Sequence, residues 1–331
     1  MSKLMNTQVI LKSRPEGQPE AEHFDFKQVP VTELADGLVR CKTRYLSLDP
    51  YMRSQISGRH ISQAINPGDV LQGETISDVI ASNHQDFKVG DVVRGFGGWQ
   101  QFADLPASAL VKVAHPHQSY ALSVLGMPGL TAYAGLMWQA QPKPGDVVVV
   151  PAAIGGVGAT VGQLAKANGC TVIGIAGSDE KCQIAVDKLG YHHCINRKTE
   201  DVAAQLDKLC PNGIDIYFDL VGGDMLHTAS HRLAIGARVI LCGLIAEYNQ
   251  TERSFGPEPA YWIKARATVH GLVVYDFEPR RQEFIDACMP LIESGQLHML
   301  EDISEGIDAA PEAFAKLMRG ENVGKTLVKV S

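Results

Sequence analysis

The chain has 331 residues, 45% of them hydrophobic and 20% charged, a balance that suits a globular protein of two domains, each burying its own core. Asp and Glu (37) outnumber Lys and Arg (30), and the formal net charge of −7 argues against nucleic acid or an anionic membrane as the main partner. No apolar run reaches membrane-spanning length, the opening MSKLMNTQVILKSRPEG lacks a signal-peptide core, and the seven scattered cysteines read as reduced thiols, so a cytoplasmic protein is expected.

In chain order, residues 1 to about 125 read as short strands between turn signals. The signals are Asp36-Gly37, Asn66-Pro67-Gly68, Lys88-Val89-Gly90-Asp91 and Gly97-Gly98; the strands include Leu38–Tyr45, Val92–Phe96 and Ala109–Lys112. This is a β-rich domain. From Met127 the pattern changes. Val147–Val150 is a run of four valines, the mark of a parallel strand buried on both faces. It is followed by Ala153-Ile154-Gly155-Gly156-Val157-Gly158, a G-x-G-x-x-G pattern whose first glycine has become alanine. A helix then carries Val157, Val161, Leu164 and Ala165 on one face and stops at Gly169.

A strand, a glycine turn and a helix in this order aim backbone N–H groups and the positive helix end at an anion. Gly155 lets the backbone approach a pyrophosphate, and Gly158 lets helix and strand pack closely. The bland alternative is a tight βα turn with no ligand. The flanking strand and helix favour nucleotide binding.

Further along, the expected elements alternate. They are Thr171–Ala176 (strand), Asp179–Leu189 (helix, Ser178 as N-cap, Gly190 as stop), His193–Ile195 (strand) and Glu200–Leu209 (helix). Then come Ile214–Leu220 (strand), Met225–Leu233 (helix) and Ala237–Gly243 (strand). Alternation at this spacing predicts an α/β domain with a doubly wound parallel sheet. A strand near Val269–Tyr275 and helices near Pro279–Glu293 and Pro311–Arg319 follow, and the last strand, Lys325–Val330, reads as a return to the β-rich domain. The expected division is 1–126 with 304–331 in the β-rich domain, and 127–303 in the nucleotide-binding domain.

In a dinucleotide fold the second strand usually ends in an acid that bonds the ribose hydroxyls. Here TVIGIA ends in Gly177-Ser178, with Lys181 one helical turn later and Arg197 just after the third strand. A missing acid beside two cations suits a 2′-phosphate, hence NADP(H). Lysines in such places are commonly just solvated; the absent acid tips the reading.

A β-rich domain followed by a nucleotide-binding domain resembles the medium-chain dehydrogenase/reductase architecture, in which many members hold catalytic zinc. Where zinc members carry Gly-His-Glu this chain has Gln72-Gly73-Glu74, and Leu48-Asp49-Pro50-Tyr51 stands where the first cysteine ligand is expected. The four clustered cysteines of a structural zinc site are absent as well. His192-His193 would diverge on a strand, while His227 and His231 share a helix face without a third ligand. No metal is expected.

Further stretches sharpen the resemblance: Leu48-Asp49-Pro50-Tyr51-Met52-Arg53, Gly126-Met127-Pro128-Gly129-Leu130-Thr131-Ala132-Tyr133, Gly177-Ser178-Asp179-Glu180-Lys181, Tyr217-Phe218-Asp219 before Val221-Gly222-Gly223, and Gly324-Lys325-Thr326. Together they are similar to the zinc-independent leukotriene dehydrogenase/prostaglandin reductase branch, which includes bacterial curcumin reductase-like enzymes, over nearly the whole chain. The resemblance implies a Rossmann domain plus a GroES-like β-barrel domain, a homodimer, and NADPH-dependent reduction of the C=C bond of α,β-unsaturated ketones or aldehydes. It also implies cofactor contacts. The pyrophosphate loop is Gly155, Gly156, Val157 and Gly158, and Ser178, Lys181 and Arg197 sit at the 2′-phosphate. Met127 and Thr131 contribute from their own segment. Cys242, Gly243, Leu244 and Ile245 pass under the cofactor in a stretch that ends in Tyr248. Leu272, Val273 and Val274 reach the nicotinamide through backbone groups, and Asn322 reaches it from the tail. Two departures stand out: Arg197 where relatives often have Tyr, and Leu220 where they often have Asn.

Reducing an enone needs hydride at the β-carbon, stabilisation of charge on the carbonyl oxygen and a proton at the α-carbon. A tyrosine hydroxyl suits the oxyanion role as a neutral donor, with a ribose hydroxyl of the cofactor sharing it. Tyr248 is the candidate catalytic residue, against the alternative of an exposed loop tyrosine. Tyr51 and Trp99 join Tyr248 as candidates to line the substrate slot, with core packing an equal reading for the first two. Two other functions fit the same residues: a quinone reductase of this architecture, or an NADPH-binding protein without turnover.

Overall fold

Glycine turns cut the first part of the chain into strands, and the computed structural model describes residues 4–58, 64–252 and 256–331. β1 (Met5–Leu11) pairs antiparallel with β2 (Phe24–Pro30). β3 (Leu38–Ser47) follows Gly37, whose φ of +76° suits a residue without a Cβ. A short helix α1 (Met52–Ile56), then β4 (Thr75–Ser82), β5 (Val92–Gly95), β6 (Phe102–Pro106) and β7 (Val111–Lys112) complete this stretch. The strand expected from Ala109 is shorter because Pro106 leads into a 3-10 turn over Ala107–Ala109.

The second unit opens with α2 (Met127–Tyr133), which widens into a π-helical turn over Ala134–Ala140. Pro128 and Gly129 hide this helix in the sequence, yet proline is at home in a first turn, where its missing N–H has no partner to lose. Next come β8 (Val147–Pro151), α3 (Gly158–Ala167), β9 (Thr171–Ala176), α4 (Asp179–Asp187), β10 (His193–Asn196), α5 (Val202–Leu209), β11 (Ile214–Asp219), α6 (Gly223–Ser230) and β12 (Leu233–Leu241). α7 (Pro259–Ala265), β13 (Thr268–Gly271) and α8 (Arg281–Glu293) close the unit.

The sheet order is β10-β9-β8-β11-β12-β13, and every neighbouring pair is parallel. The valines of β8 lie near the centre with Val148, Val149 and Val150 fully buried, as a two-sided parallel strand requires. Strand order reverses between β8 and β11, so the crevice for a ligand lies beyond their carboxyl ends.

Two expected boundaries move. The helix expected over Met225–Leu233 ends at Ser230, because the Ile214 N–H takes the Arg232 carbonyl at 2.8 Å and draws β12 into register four residues early. The strand expected over Val269–Tyr275 ends at Gly271, whose partner is Leu241, the last residue of β12. The Leu272 N–H still takes the Leu241 carbonyl at 2.9 Å, and residues Val274–Arg280 then coil into a 3-10 helix.

The tail supplies β14 (Glu301–Glu305), α9 (Ala310–Met318) and β15 (Lys325–Lys329). β15 pairs with β14 and, antiparallel, with β3, giving the order β14-β15-β3-β4-β5-β7 with β6 alongside β3. The chain thus forms two compact units, Met1–Leu122 with Glu301–Ser331, and Ser123–Leu300.

A buried ion pair ties the tail to the first of these. The Lys325 Nζ donates to the Leu48 carbonyl at 2.6 Å and to Asp49 Oδ1 at 2.9 Å, while the Ser47 hydroxyl donates to Asp49 Oδ2. Breaking such a pair from one side leaves a buried charge uncompensated. Lys325→Met is expected to destabilise this unit by about 3–5 kcal/mol, and Asp49→Leu in the same chain to restore much of the loss. Urea unfolding read from Trp99 fluorescence, with Trp138 and Trp262 replaced by Phe, checks this; an unchanged midpoint for Lys325→Met refutes it.

Candidate active site

After β8 the chain turns through Ala152, which holds a φ of +53°, rare for a residue with a side chain. The Gly155 N–H closes the turn on the Ala152 carbonyl at 2.9 Å, and the Ala159 N–H reaches Gly155 at 3.0 Å. A Cβ on Gly158 would lie 2.4 Å from the Ala152 carbonyl oxygen, so only glycine lets α3 start this close to the strand. At Gly155 an added Cβ would meet only that same oxygen, at 3.2 Å, which leaves space on that side for a ligand.

Sequence reasoning missed the side chain that holds this turn, Tyr191. Its hydroxyl donates to the Gly158 carbonyl at 2.7 Å and lies 3.1 Å from that of Ala153. Burial pushes the phenol well above its usual range, so it stays a donor. The ring fills the room left by two glycines: a Cβ on Gly162 would come within 2.2 Å of it, and one on Gly174 within 3.0 Å. Glycine inside a helix and inside a strand costs stability, and those two glycines were the available signal.

At the end of β9, Ser178 caps α4 by accepting the Lys181 N–H at 3.3 Å, and Lys181 is half-buried. Arg197, exposed beyond β10, lies over Gly177: its guanidinium is 3.7 Å from where a Cβ on Gly177 would stand, and the Lys198 side chain 3.8 Å. Lys198 was not singled out from the sequence, since one lysine beside Arg197 has no signature. No acid stands at this strand end. Cations gathered over a bare glycine fit a phosphate rather than a ribose diol.

Across the crevice, β11 ends in Asp219, fully buried. Its Oδ1 accepts the N–H groups of Val221 (3.1 Å) and Gly222 (3.0 Å), while its main-chain carbonyl accepts those of Cys242 (3.0 Å) and Gly243 (3.2 Å). Burial pushes this carboxyl up to about 6, against the pull of the Gly222 and Val221 amides and the Tyr217 hydroxyl, with Glu247 adding to the rise. The segment from Cys242 onward is stitched to the same turn. The Ala246 N–H reaches Val221 at 3.1 Å, and the Gly223 N–H, at the start of α6, donates to Glu247 Oε1 at 3.0 Å. Leu244 is exposed and Cys242, Gly243 and Ile245 are half-buried.

Tyr248 ends this segment. Its hydroxyl oxygen accepts the Leu244 N–H at 3.4 Å, an arrangement that leaves the hydroxyl hydrogen to be donated elsewhere. Burial raises the phenol above its ordinary value, so the group is neutral.

The other expected residues are placed as follows. Thr131, on α2, spends its hydroxyl hydrogen on the Met127 carbonyl at 2.7 Å. Leu272 is buried and Val273 exposed just past β13, and Val274 opens the 3-10 helix. Tyr51, Trp99 and Asn322 belong to the other unit. Tyr51 is half-buried at the N-cap of α1, and the Asn322 amide donates to the Gly324 carbonyl at 2.8 Å. Trp99 is a correction: it has no exposed surface, stacking on Phe24 (5.6 Å between ring centres) and meeting Phe314 edge-on. A ring sealed in an aromatic core does not line a substrate slot.

Among the described residues, no group of three or more His, Cys, Asp or Glu side chains is arranged to hold a metal ion. His227 and His231 bring their Nε2 atoms to 3.1 Å of one another on α6 and its end.

Comparison with known proteins agrees with this architecture. Residues 7–113 match a family profile described as the N-terminal domain of oxidoreductase, and 156–294 one described as zinc-binding dehydrogenase. The chain is 41% identical to the NADPH-dependent curcumin reductase of Escherichia coli (strain K12), over 99% of this chain and 98% of that protein. It is 37% identical to a 2-alkenal reductase (NADP(+)-dependent) of Nicotiana tabacum, over 98% of each. Among solved structures it is similar to CurA in complex with NADPH from Vibrio vulnificus, with a TM-score of 0.94 and 42% identity over 98% of this chain and 99% of that one.

The buried Asp219 predicts a specific pH dependence. A carboxyl whose folded pKa is raised binds protons that the unfolded chain has lost, so stability falls as pH rises from about 4 to about 6 and then levels. The slope is at most about 1.4 kcal/mol per pH unit. Asp219→Asn, which keeps an acceptor for the Val221 and Gly222 amides, is expected to remove that component. Urea midpoints of both proteins between pH 4 and 7 test it; a wild type that gains on the variant as pH rises refutes it.

Proposed function

The chain belongs to the zinc-independent medium-chain dehydrogenase/reductase family, curcumin reductase-like, and on that premise we propose that Tyr248 is the oxyanion donor of its reaction. The protein is an NADPH-dependent oxidoreductase that reduces the C=C bond of α,β-unsaturated ketones and aldehydes. The observation that carries the cofactor assignment on this chain is the pair Arg197 and Lys198 folded over Gly177, where an NAD enzyme would carry an acid.

The bound cofactor supplies the hydride. The amides of Gly155 to Gly158 and the positive end of α3 receive its pyrophosphate; Ser178, Lys181 and Arg197, joined by Lys198, receive the 2′-phosphate. The backbone of Cys242 to Ile245, the side chains of Met127 and Thr131, and the backbone of Leu272 to Val274 would hold the rest of the cofactor. Tyr248 donates to the substrate carbonyl oxygen. A neutral phenol suffices for this work, because conjugate addition spreads the developing charge into an enolate. Direct carbonyl reduction would concentrate that charge on one oxygen and require a stronger electrophile.

The mostly antiparallel unit, taken as 1–126 with 304–331, serves the substrate, and 127–303 the cofactor. We place the protein in the cytoplasm, supported by its seven free cysteines. We take it to be a homodimer joined at the β13 edge of the sheet, near which Ile235 and Ile263 are at least three-quarters exposed.

Three measurements test the assignment. A charge-assisted contact contributes about 1.5–3 kcal/mol, so Lys181→Ala is expected to weaken NADPH roughly 10- to 100-fold and to spare NADH. Equal losses for the two cofactors refute the phosphate role. Tyr248→Phe is expected to lower kcat roughly 10- to 1,000-fold with NADPH affinity intact, the ribose hydroxyl limiting the loss. An unchanged kcat removes Tyr248 from the mechanism. Mass and NMR analysis of the products from a panel of enones is expected to show saturated ketones; allylic alcohols would refute conjugate reduction.

A further inference from the structure

Two cysteines that the reaction does not use lie against each other beside the phosphate pocket. Cys182 is in the first turns of α4, directly after Lys181, and Cys194 is on β10, three residues before Arg197. Their sulfurs are 2.9 Å apart, and both side chains are half-buried, whereas Cys41, Cys170, Cys210 and Cys288 are buried. A disulfide bond is about 2.05 Å long, so closure requires less than about 1 Å of further approach. We propose that Cys182 and Cys194 form a redox pair that closes a disulfide on reaction with a hydroperoxide, and that closure weakens NADPH binding without affecting NADH.

The geometry gives the two thiols different parts. The Cys194 S–H donates to the Cys182 sulfur, which supports negative charge there, and Cys182 also lies near the positive end of α4. Burial raises both thiols, Cys194 more than Cys182. Cys182 therefore attacks. Its thiolate takes the outer oxygen of the peroxide, the O–O bond breaks, and with hydrogen peroxide the released hydroxide leaves as water, giving a sulfenic acid. The Cys194 sulfur, losing its proton, then displaces hydroxide from the Cys182 sulfur, and a second water leaves as the S–S bond forms. Two thiols and one peroxide thus yield one disulfide and two waters.

The link would join the helix turn that carries Lys181 to the strand that presents Arg197 and Lys198. Pulling these elements together displaces the cations that receive the 2′-phosphate, a group NADH lacks. The effect on NADPH therefore rests on the phosphate assignment made above.

The test uses the reduced full-length protein and hydrogen peroxide, followed by alkylation of remaining thiols and peptide mass analysis. The expected result is a cross-link between the Cys182 and Cys194 peptides with loss of two hydrogens, reversed by dithiothreitol. Kd for NADPH is expected to rise about three- to tenfold, with NADH unchanged. Cys194→Ser is expected to stop at the sulfenic acid, with NADPH affinity indifferent to peroxide. Absence of the link, a link between other cysteines, or a link that leaves NADPH affinity unchanged overturns the proposal. Lys181→Ala measured alongside separates the two claims: if it too leaves NADPH unaffected, the phosphate assignment has failed, and if it weakens NADPH as expected, the redox coupling has.

Discussion

A glycine turn can present its amides to a phosphate only if the following helix lies close against its strand, and here that approach is built around Tyr191. The ring occupies volume that side chains on Gly162 and Gly174 would otherwise fill, so α3 and β9 close on it from both sides. Its hydroxyl then donates to the Gly158 carbonyl and lies 3.1 Å from that of Ala153, fixing the ring against the turn. Gly158 is confined for a related reason, its missing Cβ giving way to the Ala152 carbonyl. The first glycine of the pattern can become alanine because Ala153 lies in the core beside Gly174, where that glycine makes the room.

The opposite wall of the crevice depends on a buried carboxylate rather than on a ring. Asp219 gathers two amides on its side chain and two more on its carbonyl, joining the turn before α6 to the segment that ends in Tyr248. Glu247 adds a contact at the start of α6. Backbone ties of this kind fix the segment that carries Tyr248, as the donor role proposed for it requires. Charge buried at Asp219 costs stability, and rigidity of the Tyr248 segment is what it obtains in return.

The mostly antiparallel unit solves a different problem, because its strands come from both ends of the chain. Ser47, Leu48 and Asp49 at the end of β3 meet Lys325 at the start of β15, so two of the stretches that carry the family resemblance form one buried network. Their separation by more than 270 residues hides this from any local reading. The same network lies just before Tyr51, at the N-cap of α1.

The parallel sheet, the glycine turn and the cofactor's identity were legible in the sequence because each depends on near neighbours. The four valines, the glycine spacing after them, the cap at Ser178 and the lack of an acid at Gly177 all act within a few residues of chain. Elements whose ends depend on a partner strand were misjudged, as β12 and β13 show: pairing, not composition, decides where a strand begins and stops. Side chains that work across the fold were not legible at all. Trp99 has the residue type of a ligand contact but is sealed by Phe24 and Phe314. Tyr191 looks like a connector residue and holds the turn; Lys198 gains meaning only from its proximity to Gly177, and Cys182 only from Cys194. Local chemistry is written in local sequence, whereas contact between distant side chains exists only once the backbone has brought them together.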